Sequence, residues 1–554
     1  MDRPNQEQVA TRQLWLALAA ALLGWMFDGL EMGLFPLVAR PALQSLSPSA
    51  DEREIGRWFA VATASFLVGA ATGGVLFGWL GDRLGRVRAM SLSVLTYACF
   101  SGACGLARSP AQVAGLRFAS ALGMGGEWAL GVALVMEIWP DRSRAMLAGL
   151  IGAASNVGYV LIALLGLILA DVQGQLPHWL SQIGFSARWV AILTAGNGWR
   201  LLMFVGAWPA LLALLIQAFV PESRKWKREQ SRGSTSHWAA RDLWGVLVGA
   251  AGAWMLIYWW AGDHPWGARL AGSLVAMLIL IAGYVYPAYQ YLRRTTPAPQ
   301  FLPRRASGYS EAFPDEESHP GNAAESFRGA SEGPRDRNPP AAGPPSLPYE
   351  PSTIPNPRRM ILRRMGLGAC LSGVALLGTW ASVQWAPTWA DQLAGGLPQA
   401  KAYTQICTGV GAVIGTIVAA LMGGWIGRRL TYFLLCAGSL GVSLLFFLGM
   451  RSYGYGPPFL ACAFLVGAVT ASFYGWLPLY LPELFPTRVR ATGQGFSYNF
   501  GRVIAAVGVL QVGSLMSYFG GSYWRACSTM SLVYVIGAAI IWLAPETKGQ
   551  PLPE

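Results

Sequence analysis

A few ionisable residues stand inside long apolar stretches, and their types and spacing suit proton and anion chemistry. Asp28 and Glu31 lie in MFDGLEMGLF, Arg117 and Glu127 in LRFASALGMGGEWALG, and Arg502 in FSYNFGRVIAA. A charge at the centre of a membrane helix costs ~2.5–3.5 kcal/mol unless it has a partner or a task. At ~1.5 Å per residue, Asp28 and Glu31 fall near mid-membrane, one turn apart on one helix face. A buried carboxyl beside a movable guanidinium is a physical proton switch: it is ionised while the guanidinium is close and takes a proton once that group moves off. The plainer readings are a carboxyl capped at a helix break (Asp28 before Gly29) and a structural hydrogen bond to a neighbouring helix (Glu127).

The elements that must hold these residues are long and apolar. Of 554 residues, 53% are hydrophobic and 12% charged, with a mean hydropathy of +0.39, 24 Trp and 67 Gly. A soluble fold has nowhere to put that much apolar surface. Stretches near the ~20 residues that cross a bilayer recur at 14–39, 57–80, 88–107, 110–136, 145–170, 199–220, 243–262, 268–291, 364–389, 401–426, 430–450, 457–482, 491–516 and 526–544. The expectation is an all-α polytopic membrane protein of about fourteen helices. LWLALAAALLGWMF runs on without a small-residue cleavage site and reads as a retained first helix.

The net charge of +13 is explained by where Arg and Lys stand: 83–88, 142–144, 224–228, 293–305, 358–364, 428–429 and 488–490. With both termini inside, every cluster faces the cytoplasm of a cell-membrane protein, so no nucleic-acid partner is needed. Seven Cys and four His lack metal-ligand spacing. The cysteines read as small hydrophobes, and neither a metal nor a cofactor is expected.

The chain also repeats itself. EIWPDRSRA (137–145) returns as ELFPTRVRA (483–491), and GWLGDRL (78–84) returns as GWIGRRL (424–430), both 346 residues on; PESRK at 221 returns as PETKG at 545. The extra length of the first copy fits an outside loop at about 171–198, with an amphipathic surface helix around PHWLSQIGF. Two related six-helix bundles, 14–228 and 359–549, follow a cytoplasmic N-terminus at 1–13. Between them stand an extra hairpin at 241–293, read as peripheral packing, and a Pro-, Ser- and Gly-rich linker at 294–358, read as disordered. Parallel repeats of this kind are a recurrent plan of secondary transporters, with the site at the interface between them.

These residues resemble the major facilitator superfamily. GWLGDRLGRVR is similar to its G-x-L-x-D-R-x-G-R-[KR] loop after the second helix. The E-x-x-P-x-x-x-R and P-E-[ST] phrases are similar to the ends of helices four, ten, six and twelve in its sugar-porter and metabolite:proton symporter branches. The resemblance implies a cytoplasmic gate that forms and breaks during alternating access, carried by Gly78, Asp82, Arg83, Gly85, Arg86, Glu137, Arg144, Arg428, Glu483 and Arg490. In the 346 register Arg428 stands where the first copy has Asp82. The resemblance also implies that Asp28 pairs with Arg117, which precedes Gly123 and Gly125 as an Arg does in proton-coupled sugar porters; Glu31 and Glu127 are further proton-coupling candidates by their place inside apolar stretches.

Helix seven reads SVQWAPTWA in place of the sugar porters' Q-Q-x-[ST]-G-x-N, and GMGGEW is closer to the carboxylate symporters. The substrate contacts expected from the cavity-lining helices are Gln384, Trp385, Tyr474, Trp476, Asn499 and Arg502. Aromatic rings around a buried guanidinium suit a small organic anion. The leading expectation is proton-coupled symport of a small organic acid by a monomer, its partners being substrate, protons and the bilayer. Sugar symport is the first alternative. Efflux by antiport is disfavoured because helix five, GLIGAASNVGYVLIALLGL, lacks proline. A non-transporting sensor would have no need of the proton switch, and nothing in the chain is arranged for catalysis.

Overall fold

The computed structural model describes residues 3–262, 264–295, 357–395, 397 and 399–553. The linker expected at 294–358 therefore lies, from 296 to 356, outside the described residues. The first half comprises α1 (Arg3–Leu46), α2 (Glu52–Leu84), α3 (Arg86–Cys104), α4 (Pro110–Ile138), α5 (Arg144–Val172), the short surface helix α6 (Leu176–Gln182), α7 (Ala187–Val205), α8 (Pro209–Phe219) and α9 (Arg224–Ser231). The hairpin is α10 (Leu243–Ala261) and α11 (Trp266–Thr295). The second half comprises α12 (Pro357–Trp380), α13 (Ala386–Leu393), α14 (Gln399–Ile426), α15 (Arg428–Leu444), α16 (Pro457–Thr470), α17 (Phe473–Tyr480), α18 (Arg490–Tyr518), α19 (Tyr523–Ser531) and α20 (Val533–Ile540).

Helices dominate because a lipid-facing backbone has no water to bond and must satisfy itself internally. Their ends follow local chemistry. Asp51 caps α2 by accepting from the Glu54 N–H at 2.7 Å, and Ser109 caps α4, with Pro110 in the first turn where its missing N–H costs nothing. Among the described residues, twelve spans are long and apolar enough to cross a membrane. Of the other two expected, the one at 199–220 is interrupted by a turn at 206–208, between the end of α7 at Val205 and the start of α8 at Pro209. α7 itself leaves helical geometry just before it, at Ala195–Gly198, with φ of 57°, 62° and 68° at Gly196, Asn197 and Gly198. The one at 491–516 is the helix α18.

The structure corrects the register of the repeat. Gly85 (φ 111°) turns the chain between α2 and α3, and Gly427 (φ 105°) does the same between α14 and α15. Both angles favour glycine. The loops therefore superpose at an offset of 342 (427 − 85), not 346, and Arg428 is the counterpart of Arg86. The position equivalent to Asp82 is Gly424. The identical GW-x-G letters align the wrong turns, because the tight turn and not the letters marks the structural position.

The halves meet along α2 against α18 and along α5 against α14 and α17. Small residues permit the approach. A Cβ on Gly152 would lie 2.7 Å from the Tyr474 carbonyl oxygen, and one on Gly78 would lie 2.8 Å from that of Ala491. All seven cysteines are free, and Cys99 and Cys370 are exposed on the apolar exterior rather than packed inside.

Candidate functional site

Two equivalent charge clusters lie at one end of the bundle. In the first, Arg86 donates to the Gly81 carbonyl (2.7 Å), Asp82 (2.8 Å) and Glu137 (3.1 Å). In the second, Arg428 donates to the Gly423 carbonyl (2.7 Å) and to both oxygens of Glu483 (3.0 and 2.6 Å). Each Glu also accepts from the hydroxyl after a P-E phrase, Ser223 on Glu137 and Thr547 on Glu483. Glu222 accepts from the backbone N–H groups of Arg86 and Val87, and Glu546 from those of Arg428 and Arg429.

Both clusters cross between the halves. Arg490 donates to Glu137 at 2.8 Å, and Arg144 lies 3.8 Å from Glu483. Asp82 adds a contact without a counterpart, accepting from the Thr492 N–H (2.9 Å) and hydroxyl (2.7 Å) at the start of α18. There it meets orphan N–H groups and the positive end of the helix dipole. Gly78 lies on the α2–α18 seam. Arg83 stays out of the network, its guanidinium 5.0 Å from the Trp79 ring centre. The sequence reading missed Thr492, Ser223, Thr547, Glu222 and Glu546, although the repeated P-E-[ST] phrase had flagged four of them.

Midway between the ends lies a cavity of about 100 Å³, lined by α1, α4, α5, α12, α14, α16, α17 and α18. Asp28, Tyr474, Gln384 and Arg502 border it, with Trp25, Trp128, Tyr159, Trp380 and Tyr498. Trp128 and Tyr498 stack across the halves at 3.7 Å and 8°, and the Arg502 guanidinium lies 5.2 Å from the Tyr498 ring centre. Arg502 is buried, and its Nη1 has no hydrogen-bond partner among the described residues. A second cavity, about 450 Å³, lies at the opposite end of α2 from the charge clusters and is lined by Phe35, Arg40, Phe59, Arg117, Trp385, Asp391 and Lys401 among others. Met32, Trp380 and Gln384 border both cavities.

The pairing expected inside the membrane is corrected. Arg117 donates to Glu31 at 3.1 Å and not to Asp28, and Ser101 donates to the other Glu31 oxygen at 2.6 Å. The Arg117 guanidinium is held between Phe35 and Phe66, 4.2 and 4.4 Å from their ring centres. Asp28 instead faces Glu127 and Arg502, and each of the two carboxyl groups keeps one buried oxygen, Asp28 Oδ1 and Glu127 Oε2, without a hydrogen-bond partner among the described residues. The reason is rotation: three residues on a helix turn about 300°, so Glu31 points about 60° away from Asp28, toward α3 and α4.

Three expected substrate contacts are likewise displaced. Trp476 is fully buried and donates to the Arg428 carbonyl at 3.0 Å while packing on Tyr432 and Tyr480. Asn499 donates to the carbonyls of Gly125 and Gly495, both at 3.0 Å, tying α18 to α4. Trp385 belongs to the second cavity. The residue beside Asn499, Tyr498, is the one that faces the central cavity. With Arg502 at i+4 it forms one face, and a step of one residue swings the side chain about 100° off that face. Among the described residues no three His, Cys, Asp or Glu cluster as a metal site.

Comparison with known proteins agrees with this architecture. The family model described as "Sugar (and other) transporter" matches residues 17–251 and 358–554. The cis,cis-muconate transport protein of Acinetobacter baylyi is 24% identical over 539 residues, covering 97% of this chain and 95% of its own. The niacin transporter NiaP of the same organism is 27% identical over 217 residues, 39% of this chain and 42% of its own. Among solved structures, the proton:xylose symporter XylE of E. coli, bound to 6-bromo-6-deoxy-D-glucose, superposes with a TM-score of 0.63 at 16% identity, covering 98% of each chain. The human organic anion transporter MFSD10 gives 0.55 at 16% identity, covering 95% of this chain and 99% of its own. The chain therefore belongs to the sugar (and other) transporter family within the major facilitator superfamily, and is a multi-pass membrane transporter of small molecules rather than an enzyme.

Proposed function

We propose that this transporter carries a small organic anion by proton-coupled symport, with Arg502 as the substrate anchor and Asp28 and Glu127 as the proton site. The carrying observation is the buried Arg502 Nη1, unpartnered at the edge of a cavity walled by aromatic rings. A guanidinium offers two parallel donors that fit a carboxylate, and flat rings fit a planar acid.

Coupling follows from the charges around that anchor. While Asp28 is ionised, it competes with an incoming carboxylate for Arg502 and repels it. Two buried carboxyls that face each other can share one proton, and the Asp28–Glu127 pair, each with an unpartnered oxygen, is placed to hold it. Proton and anion thus favour each other's binding. Glu31 and Arg117, already paired with each other, are assigned to holding α1, α3 and α4 together.

The charge clusters are the gate. The arginine-rich end faces the cytoplasm by the positive-inside bias, so this state is shut inside, with the 450 Å³ vestibule as the entrance from outside. The muconate transport protein among the relatives, a carrier of a conjugated diacid by its name, supports the acid reading over a sugar. The test is uptake into proteoliposomes under an inward proton gradient, across monocarboxylates, dicarboxylates, aromatic acids and sugars. Gradient-driven accumulation of an acid is expected. Accumulation of sugars alone, or of nothing on the panel, overturns the reading.

A further inference from the structure

Among the described residues the hairpin of α10 and α11 has no equivalent in the second half, and nothing in the proposed function uses it. Its outer face, with Trp244, Leu247, Leu270 and Leu274 each at least 60% exposed, is what lipid would cover. Its inner face does something more specific. α10 packs on α2 of the first half and on α18 of the second, so the hairpin straddles the seam where the two halves meet.

The contacts to each half are distinct. Tyr284 of α11 is fully buried, and its hydroxyl hydrogen-bonds that of Thr72 in α2 at 2.7 Å. Trp254 of α10 lies 5.3 Å from Phe118 of α4, ring centre to ring centre. On the other side, Arg358, in the first turn of α12, sits 4.0 Å from the ring centre of Tyr289.

The hairpin itself is stiff. The α10 and α11 backbones touch, since a Cβ on Gly283 would fall 2.3 Å from the Gly249 nitrogen. Arg294 forks onto both oxygens of Asp242 at 2.8 and 2.6 Å, closing the hairpin at its gate end. A rigid body bonded to both halves cannot stay bonded to both once they rotate apart at that end.

We propose that the hairpin is a strap that favours the state with the arginine-rich end shut, because opening that end must break its contacts with one half. The inference rests on alternating movement of the two bundles, and not on the substrate or the proton site proposed above. It assigns Tyr284 and Tyr289 a part in setting the balance between the two states.

The test needs no substrate. Full-length protein in lipid nanodiscs is compared with Tyr284→Phe and with Tyr284→Phe/Tyr289→Leu by hydrogen–deuterium exchange, read at the gate segments 78–88 and 487–498. A hydrogen bond is worth a factor of roughly two to ten in an equilibrium. Exchange at both segments should therefore rise two- to tenfold in the single variant and further in the double. The phenylalanine keeps the ring and its packing, so the single variant reports on a folded protein. Unchanged or slower exchange at the gate, or a rise confined to residues 243–295, overturns the proposal and leaves the hairpin as peripheral packing. Failure of the uptake panel would not touch this result, since no transported molecule enters it.

Discussion

Arg490 donates to Glu137 at 2.8 Å, joining the first residue of α18 to the last turn of α4 across the two halves of the molecule. The equivalent pair, Arg144 and Glu483, is a full ångström longer at 3.8 Å. Both glutamates also hold an arginine of their own half, and those bonds can persist whichever end is open. If these clusters act as the proposed gate, only the crossing contacts discriminate between its closed and open states.

The two gates should therefore differ in weight. Glu137→Gln is expected to shift the protein toward the open gate more than Glu483→Gln, by about tenfold or more, since a buried ion pair broken on one side costs ~3–5 kcal/mol. Labelling of a cysteine introduced in the inner cavity by a membrane-impermeant maleimide, against a background lacking the native cysteines, measures the shift. Equal effects of the two changes would show that distance does not rank these contacts. Arg83→Ala should leave labelling unchanged, because Arg83 only overlies Trp79.

Asp28→Asn keeps the shape of the carboxyl and removes its titration. The variant should still exchange substrate down its own gradient but fail to concentrate it under a proton gradient. Glu31→Gln should instead lower thermal stability, since it leaves Arg117 without its counter-charge between two phenylalanines. If Asp28→Asn accumulates substrate normally while Glu31→Gln loses coupling without losing stability, the proton site lies at Glu31.

Arg502→Lys tests the anchor. A lysine keeps the charge and loses the two-pronged fork, so KM for the transported acid should rise about 10- to 100-fold with a smaller change in maximal rate. An unchanged KM would remove Arg502 from the substrate site.

Glu546 gives a pH dependence outside the membrane spans. Burial alone would raise its proton affinity, but the backbone N–H groups of Arg428, Arg429, Lys548 and Thr547, all within 3.0 Å, outweigh it and hold the carboxyl below the ordinary value of 4.5. A carboxylate whose folded value is depressed stabilises the fold above its unfolded value and loses that contribution as pH falls through the folded one. The melting temperature of Glu546→Gln should thus lie below that of the parent above about pH 4.5, with the gap closing at more acid pH. A gap that persists undiminished would mean that the charge is not what matters there.

Composition alone made this a membrane protein, since apolar runs of this length have no other stable use. The repeated E-x-x-P-x-x-x-R and P-E-[ST] phrases showed two related halves, because ion pairs at helix ends need particular residue types at particular spacings. The hairpin, too, was visible as two apolar runs with no partner in the second half. What the sequence could not rank was rotation about each helix axis. Asp28 and Glu31, Tyr498 and Asn499, and Tyr474 and Trp476 are near neighbours in the chain, yet one of each pair faces the central cavity and the other a neighbouring helix. A step of about 100° per residue separates such neighbours, and only the packing of the other helices decides which direction is the cavity. Arg428 teaches the same lesson for register: its letters align with Asp82, but the glycine turn before it places it as Arg86. Charge type and order are properties of the chain, whereas partners are properties of the assembled bundle, where Arg117 found Glu31 and left Asp28 to face Arg502.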